Sequence, residues 1–275
     1  MKAQPKILMV GNKKGGVGKT TISIHMAGLL HRYGNKVLVI DQDTQQSSED
    51  AHRLRKSKGN EPSFDYTFWP YPLNRDEIYV KAEGYDFVII DTPPGTAKAE
   101  NSEVSIRPET LSSFTACDLL LIPTRMDRTD FTSVRQYMQV ATYHFATRRK
   151  HGDTHVRKAI VLPNCLNPLW SYKFEHTVMK KMVEQIDGGQ EILSVASTPV
   201  LQYRVYSKMQ WVGKTAADLG KSNERYLLEK TLFEDVLSKL DYEDSRPKHE
   251  KMKADESYRQ IIVDKVLGSE VQHVG

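Results

Sequence analysis

Cysteine is nearly absent from these 275 residues: only Cys117 and Cys165 occur, far apart and without a nearby Cys or His at ligand spacing. That argues against a disulfide framework, a zinc site or a cysteine-held cluster, and it fits a reducing cytoplasm. No apolar run approaches membrane-spanning length. The first ten residues lack a signal-peptide pattern, because a glycine-rich segment follows them at once. Internal repeats and low-complexity tracts are also missing. Neither sign of charge dominates: 39 Lys and Arg against 35 Asp and Glu leave a formal net charge of +4. A mildly basic balance permits nucleic-acid binding without demanding it. The chain is long enough to bury a sizeable core, as one large domain or two small ones.

What is present is an alternation of short β-rich runs with helical patterns. The runs are Lys6–Val10, Lys36–Ile40, Phe87–Ile90, Leu119–Ile122, Ala159–Leu162 and Ser194–Ala196. Near-continuous apolar strands of this length suit a mostly parallel sheet covered on both faces, so the expected class is α/β with helical crossovers. A first helix is expected over about Lys19–Tyr33, with Ile22, Met26, Leu29 and Leu30 on its inner side and Gly34 ending it. A later one, about Asn223–Leu240, repeats Leu228, Leu232, Val236 and Leu240 as a packing face, with Phe233 and Leu237 alongside. Residues 61–80 hold Phe64, Tyr66, Phe68, Trp69, Tyr71 and Tyr79 among three prolines, which reads as an aromatic-rich loop. Burial under the sheet edge is favoured over an exposed partner patch. From Asp244 to Ser257 the charge density suggests a solvated linker, followed by a candidate short amphipathic helix at Tyr258–Leu267. The expected division is therefore 1–243 and a tail, 244–275.

The most informative segment follows the first strand: Gly11-Asn-Lys-Lys-Gly-Gly-Val-Gly-Lys-Thr-Thr21. Strand, glycine-rich loop, Lys-Thr and then helix is how a chain cradles nucleotide phosphates. The N–H groups of Gly15, Gly16, Val17 and Gly18 would point at the anion, with Lys19, Thr20 and Thr21 opening the helix. Lys19 would reach the β/γ-phosphates and the Thr20 hydroxyl would ligate Mg²⁺. Two carboxylates, Asp41 and Asp43, sit at the end of the second strand, where α/β sheets place ligands. They could orient a metal-bound water and an attacking water. Asp91 ends the buried run Phe87–Ile90, the arrangement that holds Mg²⁺ through water. Gly95, just beyond, can bring its N–H to a γ-phosphate where a side chain would crowd it.

A strict phosphate-loop motif would carry glycine five residues before Gly18, where Lys13 stands, and a further lysine, Lys14, precedes the glycine pair. Lys-Gly-Gly-Val-Gly-Lys-Thr resembles the deviant Walker A box of the ParA/MinD ATPases. Asp41-Gln-Asp43-Thr-Gln45 resembles that family's first switch, with Thr44 in place of the usual proline, and Asp91-Thr-Pro-Pro-Gly95 its second. Looser likenesses follow at Cys117–Thr124, which makes Cys117 a small buried residue, at Ala159–Asn164, at Thr198–Arg204 and at Gly213-Lys-Thr215. The resemblance covers about residues 5–240 and implies ATP and Mg²⁺ as ligands. It implies a homodimer closed by ATP, in which Lys14 reaches the partner's nucleotide. By the same resemblance Asp41 contacts the magnesium shell, Asp43 positions the attacking water, and hydrolysis is slow until a partner stimulates it. Asn164 would hydrogen-bond the adenine, although a plain turn asparagine is a competing reading.

The family likeness is nearest to the DNA-partition branch, which implies a cytoplasmic, nucleoid-associated protein acting on a plasmid or chromosome. Such proteins bind DNA without sequence preference through basic residues; Lys180, Lys181, Arg204, Lys208 and Lys214 are candidates, with Arg148, Arg149, Lys150 and Lys221 also basic. For any one of them a solvated helix face is the blander reading. Because the chain begins at the strand before the phosphate loop, a helix-turn-helix is not expected, and site-specific DNA reading would fall to a separate centromere-binding adaptor. Two other roles carry the same switch chemistry. A MinD-like membrane-cycling protein would need Tyr258–Leu267 as its anchor, where Arg259 and Lys265 are offset by Asp264; the membrane is therefore not an expected partner. A nucleotide-switched assembly factor for a secretion or conjugation machine is the third.

Overall fold

Seven parallel strands line up in one twisted sheet, with an eighth pairing beside them, in a computed structural model that describes residues 4–60, 63–95, 106–125, 130–153, 158–166, 172–201, 204–220 and 222–240. In chain order the first half runs β1 (Lys6–Val10), α1 (Lys19–Arg32), β2 (Val37–Asp41), α2 (Ser47–Ser57), β3 (Asp65–Phe68), α3 (Arg75–Lys81) and β4 (Phe87–Asp91). Then follow α4 (Pro108–Ala116), β5 (Leu119–Thr124), α5 (Asp130–Lys150), β6 (Lys158–Leu166), α6 (Tyr172–Glu184), α7 (Gly189–Ile192), β7 (Leu193–Val195) and β8 (Val200–Leu201). The described chain closes with α8 (Arg204–Gln210), a 3₁₀ turn at Ala216–Asp218, α9 (Asn223–Lys230) and a π-helical segment, Thr231–Leu237.

The strand order is β3-β2-β4-β1-β5-β6-β7, and β8 pairs β6. Strand β1 lies between β4 and β5, so the chain leaves it in one direction and later returns to its other side. That reversal opens the crevice beyond the strands' C-terminal ends. Period-2 alternation sends Leu8, Val10, Val37, Val39, Phe87 and Ile89 to one face, under α1 and α9. Ile7, Met9, Leu38, Ile40, Val88 and Ile90 go to the other, against α3 to α6. Helix α1 is buried nearly all round, Ile22 through Leu30, because it is covered by the sheet on one side and the C-terminal elements on the other.

The sequence-expected strands are all present, with ends shifted by at most four residues. Helix α1 spans Lys19–Arg32, and Gly34 follows with φ 84°. Two expectations are corrected. Residues 61–80 are not simply a loop: Asp65–Phe68 forms edge strand β3, paired in register with Leu38–Asp41, and Asn74 starts α3. The prolines flanking these elements masked them. The β-prone Tyr-Thr-Phe run and an Asn74/Glu77 capping box, with bonds of 2.9 and 2.8 Å, were the local signals. Of the aromatics, Phe64 is buried, Tyr66, Phe68, Trp69 and Tyr79 are half-buried, and Tyr71 is exposed.

The second correction concerns 223–240, which is α-helical only to Lys230 before the turns widen. A strict four-residue repeat drifts around a 3.6-residue turn, and a wider turn lessens that drift. Leu228, Leu232, Val236 and Leu240 thereby all remain buried. The stretch 241–275, including the expected linker and Tyr258–Leu267, lies outside the described residues.

Candidate functional site

The C-terminal ends of β1, β4 and β2 meet side by side. Val10 pairs with Asp91, and Asp91 pairs with Asp41, so two carboxylates stand on adjacent strands in the same register and on the same face as α1. Both are fully buried. Asp91 accepts a 3.1 Å hydrogen bond from the Ser48 hydroxyl on its Oδ2, while its Oδ1 and the Asp41 Oδ2 have no protein partner. Burial, reinforced by the Asp91 charge, pushes the Asp41 carboxyl up to about 7. Burial pushes Asp91 up to about 6, opposed by the Thr20 hydroxyl, Lys19 and Ser48. Two orphaned buried carboxylate oxygens beside a threonine hydroxyl suit a hard divalent cation. A magnesium ion that keeps most of its own waters, with Thr20, Asp41 and Asp91 around it, fits this donor set. Among the described residues no cluster of three or more His, Cys, Asp or Glu could hold a metal by itself.

The phosphate loop runs from Gly11 to Gly18 and is fixed at both ends. Gly11 N–H donates to Leu121 O at 2.9 Å, and the Asn12 amide donates to Pro123 O at 2.7 Å and accepts from Lys14 N–H at 3.0 Å. Gly18 sits at φ 92°, a left-handed conformation that leaves α1 to begin at once with Lys19. The opening N–H groups of a helix have no intrahelical acceptor, so they and the macrodipole face the crevice. Lys19 is only 7% exposed, with its ammonium 3.2 Å from Lys14 O. Burial lowers its pKa, countered by the charges of Asp91 and Asp43. A cation held there among carboxylates is poised for an anionic ligand. Asp43 is half-buried beside it; its N–H bonds Asp41 at 2.9 Å and its carboxylate accepts Gln45 N–H at 3.1 Å.

A cleft of about 360 Å³ runs from Gly15, Gly16, Gly18, Lys19, Thr20 and Thr21 past Asn164 to an apolar end made by Val200, Leu201, Tyr206 and Leu228. Asn164 does not stand apart as a turn residue: its amide donates to Val17 O at 2.7 Å and accepts from Cys165 N–H at 2.9 Å, bracing the loop from behind. The Gly95 N–H donates to Lys13 O at 2.7 Å, tying the two loops together. Lys14 forms an ion pair with Asp130, the first residue of α5 and nearly buried. Asn12, Ser48 and Asp130 escaped the sequence reading. Asn12 lay within the motif, whereas Ser48 and Asp130 carry no local signal.

The five basic candidates do not share one surface. Lys180 and Lys181 are exposed on α6, which packs on the β6–β7 side, with Met179 and Val183 buried. Lys208 and Lys214 are exposed around the end of α8, whose Tyr206 packs on the opposite sheet face. Arg204 opens α8, with its side chain outside the described set. Arg148 and Arg149 are engaged by Asp153 and Glu191. Cys117 is fully buried. No helix among the described residues is long and apolar enough to cross a membrane.

Comparison with known proteins bears on the family and the fold. The profile of the CobQ/CobB/MinD/ParA nucleotide binding domain matches residues 8–272. The chromosome-partitioning ATPase Soj of Thermus thermophilus is 27% identical over 153 residues, covering 46% of this chain and 57% of Soj. Maintenance of carboxysome distribution protein A of Gloeobacter kilaueensis is 32% identical over 121 residues, covering 44% of this chain and 49% of that protein. The chain thus matches about half the length of these curated relatives. The fold is also that of an ATP complex of a Cyanothece McdA variant, with a TM-score of 0.58 at 17% identity over 89% of this chain and 99% of that one.

Proposed function

Because the chain belongs to the CobQ/CobB/MinD/ParA nucleotide binding domain family, we propose that it is a ParA-like ATPase working in plasmid or chromosome partition. It dimerises on ATP, binds DNA without sequence preference, and lets go when an adaptor at a centromere-like site stimulates hydrolysis. The observation that carries this reading is the in-register pair Asp41 and Asp91, with a buried unpartnered oxygen on each, beside the helix that Lys19 and Thr20 open. The partition and distribution roles in the names of Soj and of the carboxysome protein support a cargo-positioning cycle.

In this reading the Gly15–Gly18 amides and Lys19 hold the phosphates, Thr21 continues the cradle, and the apolar end of the cleft takes the base. Asn164 braces Val17 and lines the same cleft, and in this reading it hydrogen-bonds the adenine. Bound Mg²⁺ would neutralise charge on the phosphate oxygens. Asp43 orients the attacking water, and fixed positive groups stabilise the charge that develops on the transferred phosphoryl. Two contacts must be exchanged before hydrolysis. Gly95 N–H gives up the Lys13 carbonyl to meet a γ-phosphate, and Lys14 gives up Asp130 to reach a partner's nucleotide. Those exchanges account for slow hydrolysis by the isolated subunit.

The test is binding to random-sequence duplex DNA with ATP and with ADP, at two salt concentrations. Binding in ATP alone that weakens steeply with salt supports the reading. No binding in either state would overturn it.

A further inference from the structure

His25 on α1 is 1% exposed, yet its ring lines the cleft beside Tyr206, with ring centroids 5.0 Å apart. Its Nδ1 accepts the Ala216 N–H at 2.9 Å, so the neutral ring carries its proton on Nε2. Burial lowers its pKa to about 4, which keeps the ring neutral at neutral pH. Among the described residues that buried Nε2–H meets no acceptor in hydrogen-bonding geometry, the nearby Tyr206 carbonyl included. Such groups are rare in native proteins, because the hydration lost on burial is not replaced.

The ring is held in that orientation. Ala216 belongs to the turn that Arg55 of α2 clasps, through Gly213 O at 3.2 Å and Asp218 at 2.6 and 3.1 Å. Gly213, at φ 66°, packs directly on α2: a Cβ there would lie 2.5 Å from Arg55 N and 2.6 Å from its Cα. Thr215 packs equally closely on Gly28 of α1. The acceptor side of the imidazole is therefore fixed by the fold, and its donor side is left over.

Thr21, Ile22 and His25 share one face of α1 and all line the cleft. His25 stands about 7.5 Å along the helix axis from Thr20, beyond the phosphate cradle. Around it the cleft is walled by Ile22, Val200, Leu201, Tyr206 and Leu228. Of these only Tyr206 has a polar side-chain group, and its hydroxyl is committed to Glu224 O at 2.8 Å. This end of the cleft thus offers a flat apolar ligand one N–H donor. A heteroaromatic ring with an unprotonated nitrogen satisfies that donor, whereas a C–H in the same place leaves it unpaired.

We propose that His25 recognises the base, its Nε2–H donating to an unprotonated ring nitrogen of the bound adenine. The assignment rests on the nucleotide reading above and adds a contact to the one given there to Asn164.

The test is calorimetric titration of the full chain with ATP and with 1-deaza-, 3-deaza- and 7-deaza-ATP, each of which replaces one ring nitrogen by C–H. Wild type is compared with His25→Asn, which keeps an acceptor for the Ala216 N–H but has no donor at the Nε2 position. One analogue should bind wild type about 5- to 20-fold more weakly than ATP. In His25→Asn its deficit should shrink below about 2-fold, a coupling that a merely structural role would not produce. In ¹⁵N-histidine spectra of wild type, the Nε2–H resonance should move with ATP and not with that analogue. If all three analogues bind wild type as ATP does, or if the deficit persists in His25→Asn, the assignment is overturned while the nucleotide reading stands. Wild type that binds no ATP overturns both.

Discussion

Gly-Lys-Thr occurs at residues 18–20 and again at 213–215, and in both copies the glycine adopts a positive φ, 92° and 66°. In the first copy the glycine precedes a helix, the lysine is buried and the threonine hydroxyl lies near Asp91. In the second the glycine ends a helix, the lysine is exposed, and Thr215 packs on Gly28 while its N–H bonds Asp218 at 2.8 Å. The same three residues thus line the cleft at one end of α1 and brace the fold further along it. Which end of a helix the tripeptide meets decides the outcome, because helix N-termini offer unpaired N–H groups and C-termini unpaired carbonyls.

Substitutions can separate the two copies. Lys19→Ala should cut ATP hydrolysis by about 10²–10³-fold, by analogy with loss of a preorganised charge-stabilising group. Its unfolding midpoint should not fall, since a buried desolvated ammonium is removed. A large drop in stability with retained turnover would reverse the assignment.

Gly213→Val should do the opposite. It adds positive-φ strain and a backbone clash with Arg55, costing roughly 2–4 kcal/mol. The melting temperature should fall by about 5–10 °C. Unchanged thermal stability would mean that the turn is not clamped on α2.

The link between the copies also has a pH signature. His25 on α1 accepts the Ala216 N–H and is fully enclosed, beside the Tyr206 ring and carbonyl and facing the Asp218 charge. Burial lowers its pKa to about 4, against 6.5 for a free histidine. Below 6.5 the unfolded chain binds a proton that the native one does not, so stability falls as pH drops from 6.5 towards 4. The loss at pH 5 is about 2 kcal/mol. Urea unfolding at pH 7 and pH 5 should show it, and His25→Asn should flatten that part of the profile. An unaltered slope in the variant would assign it to other groups.

The smallest effect is expected for Lys214→Ala. Its side chain is solvated, so stability should stay within about 0.5 kcal/mol of wild type. A larger change by chemical denaturation would show that the exposed copy is braced by more than its glycine and threonine.

Much of this was legible locally. The β1 run, the glycine loop and the amphipathic start of α1 are near-neighbour patterns, and the structure keeps their bounds almost unchanged. Asp91 was legible because an apolar strand ending in a carboxylate, common on its own, follows the glycine loop and the Asp41–Gln45 segment in the order a nucleotide site uses. Strand β3 was hidden because an edge strand of four half-exposed residues has weak alternation, and its prolines read as punctuation. The widened turns after Lys230 were hidden because Leu and Val at four-residue spacing are equally consistent with a regular helix.

The sequence by itself determined the parallel α/β class, the phosphate loop and the two acidic strand ends, since these follow from burial periodicity and turn chemistry over a dozen residues. Only the tertiary structure decided that Asp41 and Asp91 stand in register, that Lys14 meets Asp130 from 116 positions away, and that Gly213 packs against Arg55. Parallel strands need long crossovers, so the residues a sheet edge brings together are remote in the chain, and no short-range pattern encodes their meeting.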